Sequence, residues 1–170
     1  MQFYNFTARK AGDETIPGIY LQAFIQEGRK DYFVVEIKIY KDGVIDCCGE
    51  VDLEGFKEKV RTGRVKTRVP EGVRVSMMGS DIAFTVTNVR AWVEEEEFVK
   101  EVEDVIRHLN GQPKTHDLCR KAMNRYGQAP TEENKEQLRQ SYEAVPKHLR
   151  VFLGDTDSKD WDYRDVLGMT

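Results

Sequence analysis

The chain has 170 residues, 39% of them hydrophobic and 33% charged, with 26 Lys or Arg against 30 Asp or Glu and a formal net charge of −4. That length suits one domain able to bury about two-thirds of its unfolded surface without disulfide or metal support. The balance of apolar and charged residues excludes a disordered chain, and no apolar run approaches the roughly 20 residues that cross a bilayer.

The opening Met1-Gln2-Phe3-Tyr4-Asn5-Phe6 lacks a basic segment followed by an apolar one, so the expected compartment is the cytoplasm. Cys47, Cys48 and Cys119 are odd in number, and adjacent cysteines on a strand point to opposite faces. Reduced thiols are therefore expected rather than a disulfide framework.

Residues 16–25 alternate, with Ile19, Leu21, Ala23 and Ile25 on one side, and 32–40 continue with Val35, Ile37 and Ile39 set against Glu36 and Lys38. Both read as strands with one buried face. Lys41-Asp42-Gly43 supplies a hairpin turn, because Asp-Gly tolerates the positive φ of a tight reversal, and 44–48 return as the partner strand. Asp52 caps a short helix that carries Leu53, Phe56 and Val60 and stops at Gly63. Residues 64–69 follow as a strand, Pro70-Glu71-Gly72 as a turn, then strands 73–78 and 82–89 separated by Gly79-Ser80-Asp81.

Near Trp92 the hydrophobic period changes. Phe98, Val102, Val105, Ile106 and Leu109 form one helical stripe that Asn110-Gly111 ends, with Glu94 to Glu97 in the first turn, where the helix dipole favours negative charge. Leu118, Ala122, Met123 and Tyr126 make a second stripe ending at Gly127, and Thr131 opens a third helix carrying Leu138, Tyr142 and Val145. Pro146 breaks that helix and begins another through Leu149, Phe152 and Leu153. Residues 154–170 read as an extended or partly ordered tail, with Trp161, Tyr163 and Leu167 as candidate anchors.

The expected fold is α+β: a twisted, mainly antiparallel sheet of about five strands with one inserted short helix, then three to four C-terminal helices. A single domain 1–170 is expected, with a β-rich half 1–92, a helical half 93–153 and the tail 154–170. Tyr40-Lys41-Asp42-Gly43, the Phe56 helix, Val69-Pro70-Glu71-Gly72 and the Leu109-Asn110-Gly111 stop together resemble a family of uncharacterised bacterial proteins of unknown function. The resemblance covers residues 33–111 and implies no catalytic residue.

Alternation along 64–69 would put Arg64, Lys66 and Arg68 on one face about 7 Å apart, with Arg61 and Arg74 near in sequence. Such a stripe could meet phosphates or an acidic protein surface, or it could be the solvated, aggregation-resistant face of an edge strand. Residues 1–92 carry 14 Lys or Arg against 13 Asp or Glu, whereas 93–170 carry 12 against 17. A general nucleic-acid binder would show a larger basic footprint, and no aromatic RNA-binding motif, zinc finger or basic-region heptad is present, so weak nucleic-acid binding through the basic strand stands only as a minor alternative.

His116 and Cys119 share the spacing of a zinc ligand pair, but two further ligands at a supporting spacing are missing, so no metal and no cofactor is expected. The acidic run 155–162 departs from a calcium loop at Lys159, Asp160 and Val166. Enzyme signatures are absent, which leaves only scattered carboxylates, His108 and His148 for hydrolase or transferase chemistry. The pattern favours a small non-catalytic protein-binding module of immunity, antitoxin-like or adaptor type, with Arg61, Arg64, Lys66, Arg68 and Arg74 as contact residues and another, acidic protein as partner. A homodimer is the default assembly.

Overall fold

Two neighbouring strands with complementary alternation make the spine of a sheet, as expected for chains whose every second residue is apolar. The computed structural model describes residues 4–88, 93–154 and 159–169, and the chain divides into two compact units, residues 2–110 and 111–170. In the first unit the elements run β1 (Asn5–Ala11), β2 (Glu14–Glu27), β3 (Asp31–Tyr40), β4 (Ile45–Asp46), β5 (Glu50–Val51), α1 (Leu53–Arg61), β6 (Val65–Lys66), β7 (Arg74–Met77), β8 (Ala83–Thr85) and α2 (Glu95–Leu109). The second unit contains α3 (Thr115–Gln128), α4 (Glu132–Ala144), a 3₁₀ turn (Lys147–Phe152) and α5 (Trp161–Leu167).

The spine is the antiparallel β2–β3 hairpin, in register from Gly18↔Tyr40 to Glu27↔Asp31. Each of its outer edges is shared by two partners. Along β2, β1 pairs from Asn5↔Tyr20 to Ala11↔Glu14 and β6 adds Phe24↔Lys66 and Ile25↔Val65. Along β3, β4 adds Lys38↔Asp46 and Ile39↔Ile45, while β7 runs parallel from Tyr32↔Val75 to Val34↔Met77 and carries β8 on its far side. The fold is α+β and the sheet mainly antiparallel, with eight strands among the described residues rather than about five.

The inner face of the sheet holds Ile19, Ala23, Ile25, Val35, Ile37 and Ile39, all buried, against Phe56 of α1 and Phe98, Val102 and Val105 of α2. Phe56 and Phe98 meet at 6.1 Å between ring centroids. Asp52 accepts from the Gly55 N–H at 2.8 Å and so caps α1 as its sequence predicts. Because its stripe packs on the sheet, α2 belongs to the first unit, and the division falls at Asn110 rather than at Trp92, which itself lies outside the described residues.

Several expectations are corrected. Strand β1 was not foreseen, since its residues are largely exposed on both faces and carry no hydrophobic alternation. The strand expected over 64–69 shrinks to Val65–Lys66: Gly63 leaves α1 with φ +76°, and Val69 turns away into a second small core. Expected strand 44–48 is the two-residue β4, after which Cys47-Cys48-Gly49 reverses the chain into β5. Strand 82–89 ends at Thr85, and Val89 lies outside the described residues.

In the second unit Cys119, Ala122, Leu138, Tyr142, Val145 and Leu153 form a separate core with Tyr163 and Leu167. Those last two stand one helical turn apart, so the expected extended tail is instead a helix from Trp161, ended by Gly168 at φ +69° with its N–H on the Asp165 carbonyl. Trp161, expected as an anchor, is 62% exposed. Residues 155–158 of the acidic run lie outside the described residues.

Candidate functional site

Alternation puts Gln22 and Phe24 of β2 and Tyr32, Val34, Glu36 and Lys38 of β3 on the outer face, opposite the main core. The register extends this face across β7 to β8, where Val75 lies opposite Phe84 and the Met77 N–H donates to the Ile82 carbonyl at 2.9 Å. One end is closed by a small core in which Val69, Val73 and Val86 cover Tyr32, Phe24, Val34 and Val75. The other end is open.

There a groove of about 390 Å³ runs between β7 and the β4 turn. Val34, Glu36 and Gln22 form its floor, Met77 and Met78 one wall, and Asp46 and Cys48 the other, with Lys38 and Val35 alongside. The groove exists because β7 pairs with β3 only as far as Val34 and β4 pairs with it only from Lys38 onward. The Val34 carbonyl accepts from Met78 N–H at 3.2 Å, so the backbone groups of Glu36, two residues on, point to the same edge and have no ladder partner among the described residues. Beside this gap Met77, Met78, Ile82 and Phe84 are 40, 48, 58 and 42% exposed, four exposed apolar residues on one hairpin.

The basic residues expected to form a stripe are placed differently. Arg64 pairs with Glu27 at 2.9 Å, Arg68 with Glu94 at 3.6 Å and Arg61 with Glu58 on the same face of α1. The Arg61 guanidinium holds the Glu58 carboxyl below its usual range. Lys57 joins Glu103 at 2.9 Å and Glu54 at 3.1 Å, contacts that raise its ammonium pKa. Lys66, opposite Phe24, and Arg74, opposite Thr85, make no ion pair among the described residues. Three of the five proposed contact cations thus already face carboxylates.

The other candidates are dispersed. Cys119 is fully buried among Ala122 and Leu138, and desolvation pushes its thiol up to about 12, while His116 lies 3.1 Å from Asp117. No group of three or more His, Cys, Asp or Glu able to hold a metal occurs among the described residues. Cys47 points into the main core and Cys48 into the groove; the expected strand alternation is not the cause, because both lie in the turn after β4, where Cys48 takes φ +58°. Both thiols are raised, chiefly by desolvation. His108 stacks on Tyr4 at 4.9 Å, and the buried carboxylates Glu97 and Asp104 lie on α2, outside the groove.

The groove and the apolar hairpin were missed from the sequence, where residues 73–78 and 82–89 read only as strands. A signal was present: Ile82-Ala83-Phe84-Thr85-Val86-Thr87 contains no charge and no proline, which is unusual for a strand with an exposed side.

No curated protein and no solved structure matches the chain significantly. Residues 114–169 match the model of a domain of unknown function (DUF7639), and that match begins close to where the second unit does. The sheet unit with its open groove coincides with the other matched segment, and the chain belongs to the family described as a domain of unknown function (DUF7638), whose model spans residues 6–113.

Proposed function

We propose that this chain is a protein-binding module without catalytic activity, and that another protein docks on the outer face of its sheet at the Met77–Met78 wall of the groove. The observation that carries this reading is the exposure of Met77, Met78, Ile82 and Phe84 side by side on one hairpin. Clustered exposed apolar side chains mark interaction surfaces, and methionine adapts its shape to a partner at low strain. Glu36 at the groove floor adds a backbone donor and acceptor that an incoming main chain can satisfy.

Lys66 and Arg74 leave positive charge on the same unit, which favours an acidic partner and acts mainly on the rate of encounter. The free cysteines, one of them exposed, suit a reducing, cytoplasmic compartment. Immunity, antitoxin-like and adaptor roles are all forms of such binding.

The test compares tagged wild type with Met77→Asp/Met78→Asp and with Arg64→Glu/Arg68→Glu, each recovered from lysate of its own host. A stoichiometric protein lost from the methionine pair at unchanged melting temperature, and retained by the arginine pair, is the expected result. Retention by both variants would move the surface elsewhere, and no co-purifying protein in any arm would end the binding reading.

A further inference from the structure

The far side of the same hairpin carries a second surface. At the two ends of β8 the Ile82 carbonyl accepts from Met77 N–H, the Val86 N–H donates to the Val73 carbonyl, and the Val86 carbonyl accepts from Gly72 N–H. Even-numbered residues therefore spend their backbone groups on β7, and Ala83 and Thr85 aim theirs away from it, with no ladder partner among the described residues. Open ladder groups of this kind template pairing with another strand unless the edge is guarded.

Strands β1 and β8, each at an edge of the sheet, differ in that guard. Strand β1 carries Arg9 and Lys10, and Arg9 is tied to Asp42 across the Tyr40 ring. Residues 82–87 carry no charge and no proline. We propose that β8 pairs antiparallel with β8 of a second copy of this chain, centred on Phe84, so that the sheet continues across a two-fold axis.

That register is self-consistent. Centring on Phe84 sets Ala83 opposite Thr85 of the second copy, the pair whose outward N–H and C=O groups match. Phe84 then meets its own mate as a non-hydrogen-bonded pair, where side chains approach most closely, and exposed Ile82 falls beside Val86. Asp81, the nearest charge in the strand, falls opposite uncharged Thr87, so no like charges face each other along it. A self-complementary patch of this kind closes as a two-fold dimer. With so short a ladder the dimer is reversible and concentration-dependent. It uses the opposite side of β7 from the groove, but Ile82 and Phe84 belong to both surfaces, so the two readings are told apart by Ala83→Pro, which changes no side chain of the docking patch, and by Met77→Asp/Met78→Asp, which leaves the β8 edge intact.

Sedimentation velocity on the purified full chain across a concentration series tests the proposal. Wild type is expected to pass from monomer to dimer. Ala83→Pro removes an outward N–H that β7 does not use, and Phe84→Lys sets two cations together at the axis; each is expected to weaken dimerisation at least about tenfold. If Ala83→Pro loses its melting transition, Phe84→Cys replaces it: mild oxidation should give a covalent dimer that wild type, with its exposed Cys48, does not form. A chain that stays monomeric throughout, a dimer that survives Phe84→Lys, or a Phe84→Cys dimer that does not cross-link would each overturn the β8 pairing.

Discussion

The inner and outer faces of the sheet are built by the same two strands and end in opposite states. On the inner face Ile19, Ile25, Ile37 and Ile39 are fully buried beneath Phe56, Val102 and Val105. On the outer face the small core around Tyr32, Val69 and Val75 covers one end and leaves Met77, Met78, Ile82 and Phe84 exposed beside polar Gln22, Glu36 and Lys38. Two helices suffice to seal one side of this sheet, and the other is covered only as far as a loop reaches. Stability should therefore reside on the inner face and recognition on the outer.

The sharpest challenge to that division is Phe56→Ala. Emptying a fully buried phenylalanine site should cost about 3–5 kcal/mol, read as the shift in urea unfolding of the sheet unit, whereas Met77→Ala should stay within about 0.5 kcal/mol. Comparable losses at the two positions would erase the distinction.

A smaller effect probes where the outer face is itself close-packed. At Gly18 an added Cβ would lie 2.7 Å from the Ile39 carbonyl oxygen and 2.7 Å from Cδ1 of Tyr40. The ring can shift but the carbonyl belongs to the central ladder, so Gly18→Ala should destabilise by about 1–3 kcal/mol in thermal or urea unfolding. No loss would mean that this end of the face is as loose as the groove.

The neighbouring thiols give the gentlest comparison. A small alkylating reagent should label Cys48 in the native protein and reach Cys47 and Cys119 only on unfolding, as counted by intact mass. Burial and the Asp46 carboxylate both raise the Cys48 pKa, so less thiolate is present at neutral pH than for an ordinary cysteine. The labelling rate should still be climbing above the pH where a free thiol has levelled off. Asp46→Asn, by removing the charge, should move that rise to lower pH, and an unchanged profile would exclude the carboxylate as a cause.

Much of the fold was legible. Alternation through 16–25 and 32–40 identified the two strands of the spine, and Asp42-Gly43 the turn from β3 to β4, with Gly43 at φ +85° and the Val44 N–H on the Asp42 side chain. The α1 cap at Asp52 and the stripes of α2, α3 and α4 followed from 3.6-residue spacing. The candidate site was not legible, because it is made where strands stop. Glu36 is open only since β7 pairs with β3 no further than Val34 and β4 pairs with it only from Lys38, limits set by segments distant from Glu36 in the chain. The basic residues misled for the converse reason: Glu27, the partner of Arg64, is 37 positions away.

By itself, then, the sequence determined the local periods, the turns and caps, and the inward set of each long strand, because these depend on side chains a few residues apart. Tertiary structure decided the parallel β3–β7 pairing, the assignment of α2 to the sheet, the folding of residues 161–167 as a helix on the α3–α4 core, and which cations meet carboxylates. Each of these depends on distant segments burying apolar surface together, and the free energy of that burial is a property of the assembled unit rather than of any one stretch of chain.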